Sequence, residues 1–173
     1  AAGRGGGLDL GCVPGKGGKD VAGILNAAGK GAIEVVYLLG ADELDVQALG
    51  KAKHKGAFTI YQGHHGDMGA EVADIIFPGA AYTEKNATYV NTEGRVQHTK
   101  AAVFPPGEAK EDWVILTRLA EKMGHSLPSQ TLQDVRSALA EINTVFALTD
   151  TVLPAKWPKS GKAGKLLNAK VTS

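Results

Sequence analysis

Residues 33–39 (IEVVYLL) constrain the fold more than any other stretch of this chain. The run is nearly unbroken in apolar residues and rich in β-branched ones. That is the pattern of a strand buried on both faces, as in a parallel sheet. Residues 57–61 (AFTIY) repeat it, and residues 74–77 (DIIF) form a third, shorter run. Helical patterns lie between them. Val21, Ile24, Leu25 and Ala28 share one helical face, with Asp20 as N-cap and Gly29 as the left-handed stop. Leu44, Ala48, Leu49 and Ala52 share another, capped by Asp42, with Lys51, Lys53, His54 and Lys55 near the negative end of the helix dipole. A short helical piece at 69–73 follows. Strands alternating with helices over short connections imply a right-handed parallel α/β sheet. Ligands of such sheets gather at the carboxyl ends of the strands, here at residues 40–42 and 62–67.

After Pro78 the periodicity stops. Residues 79–103 hold small and polar residues with neither helical nor strand spacing, which predicts a long ordered loop of functional or interfacial use. Pro105-Pro106-Gly107 closes it. Ala109, Trp113, Leu116, Ala120 and Met123 then mark an amphipathic helix stopped by Gly124. Thr131 and Asp134 form a capping box for another helix, with Leu132, Val135, Leu139 and Ile142 inward. The domain reading is a Gly-rich N-terminal arm at 1–19, an α/β domain at 20–145 and an extended basic tail at 146–173. From Thr151 onward there are five lysines and no acid, leaving 14 basic against 18 acidic residues in the body. A basic tail on a mildly acidic body suits docking to a neighbour better than nucleic-acid binding, and Trp157 either anchors the tail against that neighbour or packs on its own domain.

Several chemistries are excluded by inspection. The single cysteine, Cys12, rules out an intrachain disulfide, a CxxC pair and a cluster held by four thiolates of this chain. Gly15-Lys16, Gly18-Lys19 and Gly29-Lys30 each lack the Ser or Thr that a phosphate loop requires, and no GxGxxG follows a strand. There is no GxSxG elbow and no HExxH. No apolar run is long enough to span a bilayer. Asn86-Ala87-Thr88 matches a glycosylation acceptor, but nothing suggests secretion.

Candidate site residues remain between 61 and 97. His64, His65 and Asp67 follow a strand and have the donor types of a zinc or iron site. Neighbouring histidines on extended backbone point to opposite sides, however, so the alternative is a loop contact and a solvent-facing ring. Asp74, Glu84 and Glu93 could supply an acid–base pair. Tyr82 and Tyr89 could stack on a ligand or pack the loop down. Within Asn91-Thr92-Glu93-Gly94-Arg95, Asn and Gly favour a turn. Arg95 either holds an anionic group or neutralises Glu84 or Glu93.

At these residues a resemblance becomes specific. Residues 61–102 (YQGHHGDMGAEVADIIFPGAAYTEKNATYVNTEGRVQHTKAA), then 105–124 (PPGEAKEDWVILTRLAEKMG), closely resemble the C-terminal part of the largest iron–sulfur subunit of NADH–ubiquinone oxidoreductase, respiratory complex I. Weaker likeness in LDLGCVPG, VVYLLGAD and LPSQTLQDVRSAL extends it over about four-fifths of the chain. That subunit is similar to molybdopterin oxidoreductases. The shared features are Ala73 to Pro78, the pattern Glu84, Thr88, Asn91, Glu93, Gly94 and Arg95, and a Pro-Gly-Glu-Ala…Asp-Trp helix start.

The resemblance implies a partial Rossmann-like, mostly parallel sheet flanked by helices, with the long ordered loop and extended tail above. It implies a non-catalytic structural part of the subunit, in the peripheral arm on the matrix side of the mitochondrial inner membrane. In this branch the domain generally lacks the molybdenum cofactor. No cofactor is then bound by this chain. Iron–sulfur clusters are expected on a partner N-terminal part, present as a separate chain or as further sequence, and the NADH and flavin sites on another subunit. Other peripheral-arm subunits are the expected partners, and Glu84, Thr88, Asn91, Glu93, Gly94 and Arg95 are expected to brace the loop. Two alternatives stand beside this: a cofactor-binding fragment of an active molybdopterin oxidoreductase, and a small metal-binding module on His64, His65 and Asp67.

Overall fold

The structure is a computed structural model that describes residues 4–41, 44–66 and 68–154. In chain order it contains α1 (Arg4–Asp9), α2 (Val21–Gly29), β1 (Val35–Leu39), α3 (Val46–His54), β2 (Phe58–Gly63), α4 (Met68–Val72), β3 (Ile75–Pro78), β4 (Thr88–Val90), β5 (Val96–His98), α5 (Asp112–Lys122), α6 (Leu132–Ile142) and a 3-10 turn at Thr144–Ala147. This is the expected α/β architecture. The three apolar runs make one parallel sheet in the order β1-β2-β3, with Val35 opposite Phe58 and Ile60 opposite Ile75.

The main core lies on one face of that sheet. Val36, Leu38 and Tyr61 point into it and meet Leu25 and Ala28 of α2 and Leu49 and Ala52 of α3, all buried. Each large apolar side chain removed from water there stabilises the fold by about 1.5–3 kcal/mol. Asp20 caps α2 by accepting from the Gly23 amide at 2.8 Å. Asp45, not Asp42, caps α3 through the amides of Gln47 and Ala48 at 3.0 and 3.1 Å, and Asp42 lies outside the described residues. The left-handed stop after α2 is Gly31 (φ +75°) rather than Gly29. The capping box of α6 forms as predicted, Thr131 accepting from Asp134 and the Asp134 carboxylate from the Thr131 amide.

Close packing of Tyr61 explains two glycines that flank it. The Tyr61 ring is 1% exposed, and a Cβ placed on Gly69 would stand 2.7 Å from its Cδ2. A Cβ on Gly63 would overlap its hydroxyl. The ring occupies the room that both positions leave.

Several local expectations differ from the structure. The Gly-rich start is not a loop throughout: Arg4–Asp9 is helical, and Gly5 and Gly6 sit against Val90. The loop at 79–103 contains an antiparallel hairpin, β4 with β5, too short to show a strand period. Val21, Ile24, Met123 and Ile142 are exposed rather than inward. Their helices bury narrower faces, Leu25 and Ala28 in α2, and Ile115 and Thr117 in α5. The tail boundary also shifts. Phe146 belongs to a second core with Val90 and Val96, so residues past 145 are part of the fold. Trp157 and the lysine-rich end lie outside the described residues.

Candidate functional site

The carboxyl ends of β2 and β3 open onto a cleft of about 340 Å³ whose lining includes Gly63, His64, His65, Pro78, Gly79 and Glu84. This is where a parallel α/β sheet presents ligands. The chain turns at His64 and His65, both exposed, and their rings approach each other with centroids 4.2 Å apart at 45°. The expectation that the two rings point to opposite sides fails because the backbone bends there instead of running on as a strand. Asp67 lies outside the described residues, and among the described residues no three His, Cys, Asp or Glu side chains are grouped to hold a metal ion.

Glu84 reaches the cleft, but its Oε2 accepts from the Ala81 amide at 2.9 Å, fixing the turn that leaves β3. Asp74 sits at the other, amino end of β3. Its Oδ2 accepts from the Thr59 amide at 2.8 Å and its Oδ1 pairs with Lys53 at 2.9 Å. These contacts, the Thr59 amide first and then Lys53, hold its carboxyl below the ordinary carboxylate range. Glu93 lies on the hairpin turn. The three carboxylates are therefore kept apart by the topology, and no acid–base pair forms among them.

The hairpin turn is built around Asn91. Its Oδ1 accepts from the amides of Glu93 and Arg95 at 2.9 and 3.0 Å, and Gly94 takes a positive φ (+80°) that a Cβ would strain. Arg95 then projects onto residues near the end of the described chain. Its Nη1 donates to the Asp150 carbonyl at 2.7 Å and its Nη2 to Glu93 at 3.2 Å. Asp150 in turn donates its amide to the Val96 carbonyl at 2.8 Å and accepts from Gln97. Arg95 thus pairs with Glu93, not Glu84. Thr88 opens β4 opposite His98. Tyr82 is exposed, and Tyr89 lines a separate cleft under α6.

The densest polar cluster was not singled out by sequence reasoning. It joins β2, the loop and the start of α5. Gln62 is fully buried on β2; its Oε1 accepts from the Tyr37 hydroxyl at 2.5 Å and its Nε2 donates to Asp112 Oδ1 at 2.9 Å. Asp112 takes Lys85 on its other oxygen at 2.6 Å. Beside it, Glu111 accepts from the Asn86 amide at 2.8 Å, the Asn86 side chain at 3.0 Å and the Trp113 indole at 2.6 Å. Burial pushes the Glu111 carboxyl up, but the Asn86 and Trp113 donors and nearby Lys85 outweigh it and the net shift is downward. Burial, with Asp112 close by, raises the Tyr37 hydroxyl above 10.0. A glutamine at the end of an otherwise apolar strand, and two acids directly before an aromatic helix start, are the signals that could have found this cluster.

Residues 1–122 match the family model of the molybdopterin oxidoreductases. The chain belongs to this family. Among molybdopterin oxidoreductase relatives it is 52% identical to the mitochondrial NADH-ubiquinone oxidoreductase 78 kDa subunit of Candida albicans, over 69% of this chain and 16% of that one. It is 50% identical to the 75 kDa subunit of Reclinomonas americana (62% and 15%), and 45% identical to an NADH-quinone oxidoreductase subunit of Rickettsia bellii (82% and 20%). The resemblance read from residues 61–124 therefore holds. The chain spans a fifth or less of the length of these relatives. Acetylene hydratase from Pelobacter acetylenicus has the same fold over 71% of this chain and 18% of its own, with a TM-score of 0.58 at 18% identity.

The family's cofactor fits the cleft poorly. Among the described residues its lining includes no lysine or arginine to meet phosphate groups and does include Glu84. The volume is also near the lower limit of about 300 Å³ for small-molecule sites.

Proposed function

We propose that this chain is a structural, non-catalytic part of the large iron–sulfur subunit of an NADH–ubiquinone oxidoreductase. It supports electron transfer from NADH to ubiquinone through clusters held on the N-terminal part of that subunit, as a separate chain or as further sequence, and binds no cofactor itself. The relatives named above carry the assignment to the complex. The mitochondrial relative from Candida albicans supports a mitochondrial setting, and within it the proposed seat is the matrix side of the inner membrane, among the other peripheral-arm subunits. Among the described residues no helix is long and apolar enough to cross a membrane.

One observation carries the non-catalytic reading. Two of the three charged residues of the shared motif are turned onto the main chain, Glu84 onto Ala81 and Arg95 onto Asp150, and the third, Glu93, pairs with Arg95, while Asn91 closes the turn between them. Groups held this way brace the loop and are not free for proton transfer. Glu84→Gln and Arg95→Ala should lower the amount of assembled NADH dehydrogenase seen on native gels while leaving NADH oxidation per assembled complex unchanged. A chain that migrates apart from the complex would refute the assignment; a fall in turnover per complex would refute the structural role.

A second reading rests on the position of the cleft at the carboxyl ends of β2 and β3. There the chain would be a cofactor-binding fragment of an active molybdopterin oxidoreductase. Stoichiometric molybdenum or tungsten in the purified assembly would support it, and an assembly free of both would remove it.

A further inference from the structure

α6 lies over the loop, yet none of its residues is buried. Its apolar stripe, Leu132, Val135 and Leu139, lines a cleft of about 310 Å³ together with Tyr89 of β4 and Trp113 of α5. Arg136, one helical turn after Leu132, lines the same cleft. Its Nε is buried, and no acceptor reaches it among the described residues. A buried donor on a charged group is costly to leave unpaired. The two acids of the cleft are already committed elsewhere. Asp112 holds Gln62 and Lys85, and Glu111 holds Asn86 and Trp113. The charge of Arg136 acts instead on His98, whose pKa is lowered by burial first and then by Arg136, with Asp150 opposing. Among the described residues neither the Tyr89 nor the Trp113 ring is stacked on another ring. The cleft therefore combines one uncommitted cation with apolar and aromatic walls.

We propose that the cleft under α6 binds a small aromatic monocarboxylate, its carboxylate paired with Arg136 and its ring held between the α6 stripe and the Tyr89 and Trp113 rings. This goes beyond the structural role proposed above and does not depend on it. None of these residues lines the cleft at the carboxyl ends of β2 and β3. A guanidinium offers two parallel N–H groups to the two oxygens of a carboxylate, which selects that acceptor. Mostly apolar walls with one placed polar group are the ordinary make-up of a small-molecule site, and the volume, at the lower end of such sites, suits one ring or a fused pair. The chain itself has no acid placed to supply the carboxylate. Residues 1–3 and 155–173 contain no Asp or Glu, and the five lysines of the tail would be repelled by Arg136. Asp42, Glu43 and Asp67 are joined to Ala41, Leu44, Gly66 and Met68, none of which lines this cleft.

Trp113 reports on the cleft directly. In the full chain carrying Trp157→Phe, titration with 2-naphthoate should change the Trp113 fluorescence saturably, and benzoate should compete. Neutral benzamide and cationic benzylamine should compete at least tenfold more weakly. Arg136→Leu should cut the affinity for naphthoate at least tenfold, the worth of a hydrogen bond to a charged group. Because Arg136 leaves no partner behind, that variant should fold with an unchanged or higher Tm. Arg118→Leu, in a different cleft, should bind as the wild type does. Naphthoate should also raise the pKa of His98, read from its imidazole proton resonances, because it neutralises Arg136. Absence of saturation by about 10 mM naphthoate, well past millimolar affinity, would overturn the inference. So would equal affinities of the wild type and Arg136→Leu, or a His98 pKa that does not move. In the assembly from which the chain is purified, photolysis with 4-azidobenzoate should label α6, Tyr89 or Trp113, and excess benzoate should protect them. Labelling of the isolated chain but not of the assembled one would place a partner over the cleft and would overturn the inference too. The proposed structural role would stand after any of these failures.

Discussion

Replacing Glu111 by alanine should unsettle the loop more than any other surface-proximal change. Its carboxylate accepts three hydrogen bonds, from the Asn86 amide (2.8 Å), the Asn86 side chain (3.0 Å) and the Trp113 indole (2.6 Å). Hydrogen bonds to a charged acceptor contribute about 1.5–3 kcal/mol each, and they do not add fully because they share one partner. The Asn86 side chain can turn to water, whereas its amide and the indole N–H are tied by their neighbours. A loss of about 3 kcal/mol is the expected sum, corresponding to roughly 6–12 °C in Tm for a chain of this size. Glu111→Gln keeps one acceptor but aims an NH₂ group at a donor, so it should lie between the two. The pH dependence sets this apart from lost packing. The folded-state carboxyl titrates below its ordinary 4.5, so on acidification the unfolded chain takes up the proton first. The contribution of the carboxylate is complete above the unfolded pKa and is lost as pH falls through the folded one. Urea titrations followed by circular dichroism should show the wild type and Glu111→Gln far apart at pH 7 and converging below about pH 4. A difference under about 0.5 kcal/mol at pH 7, or one that persists undiminished in acid, would refute the reasoning.

Three further outcomes are open to measurement. Gly69→Ala should destabilise by about 1–3 kcal/mol by forcing the buried Tyr61 ring aside, read as a shift of the urea midpoint with an unchanged slope. Thr131→Ala should lose about 1 kcal/mol from the capping box of α6, and a serine at the same position should restore most of it. His64→Ala and His65→Ala should leave the metal content of the purified chain unchanged; a lost equivalent of zinc or iron would revive the metal site.

The parallel sheet was legible because its signal is physical and local. Residues 33–39 and 57–61 are apolar on both faces, and only a sheet with neighbours on both sides accommodates that. Asp20 and Thr131 were legible as caps because a side-chain oxygen before an apolar period has one favourable use. The hairpin was hidden because three-residue strands are shorter than the window in which alternation can be detected. The partners of Arg95 were hidden for another reason. Glu93 is near in sequence and is one of the two acids the motif offers, but Asp150 is 55 positions away and offers a carbonyl, which every residue has. The cluster of Gln62, Lys85, Glu111 and Asp112 likewise depends on elements that meet only in three dimensions. The resemblance nevertheless reached further than any single contact, since residues 61–124 carry enough identity to place the family without a geometry.

The small core formed by Val90, Val96 and Phe146 also draws in Leu10, and the Asn143 side chain donates to the Asp9 carbonyl at 3.0 Å across 134 positions of sequence. The two units of the fold therefore differ in when they can be made. The parallel sheet and its helices are contiguous between Val21 and Pro78 and can close as soon as that length has left the ribosome. The hairpin unit needs its first and last described segments together, so it must wait until Phe146 has been made, and its long loop closure slows it further. Until then Val90 and Val96 lack the Phe146 side chain that packs against them in the fold.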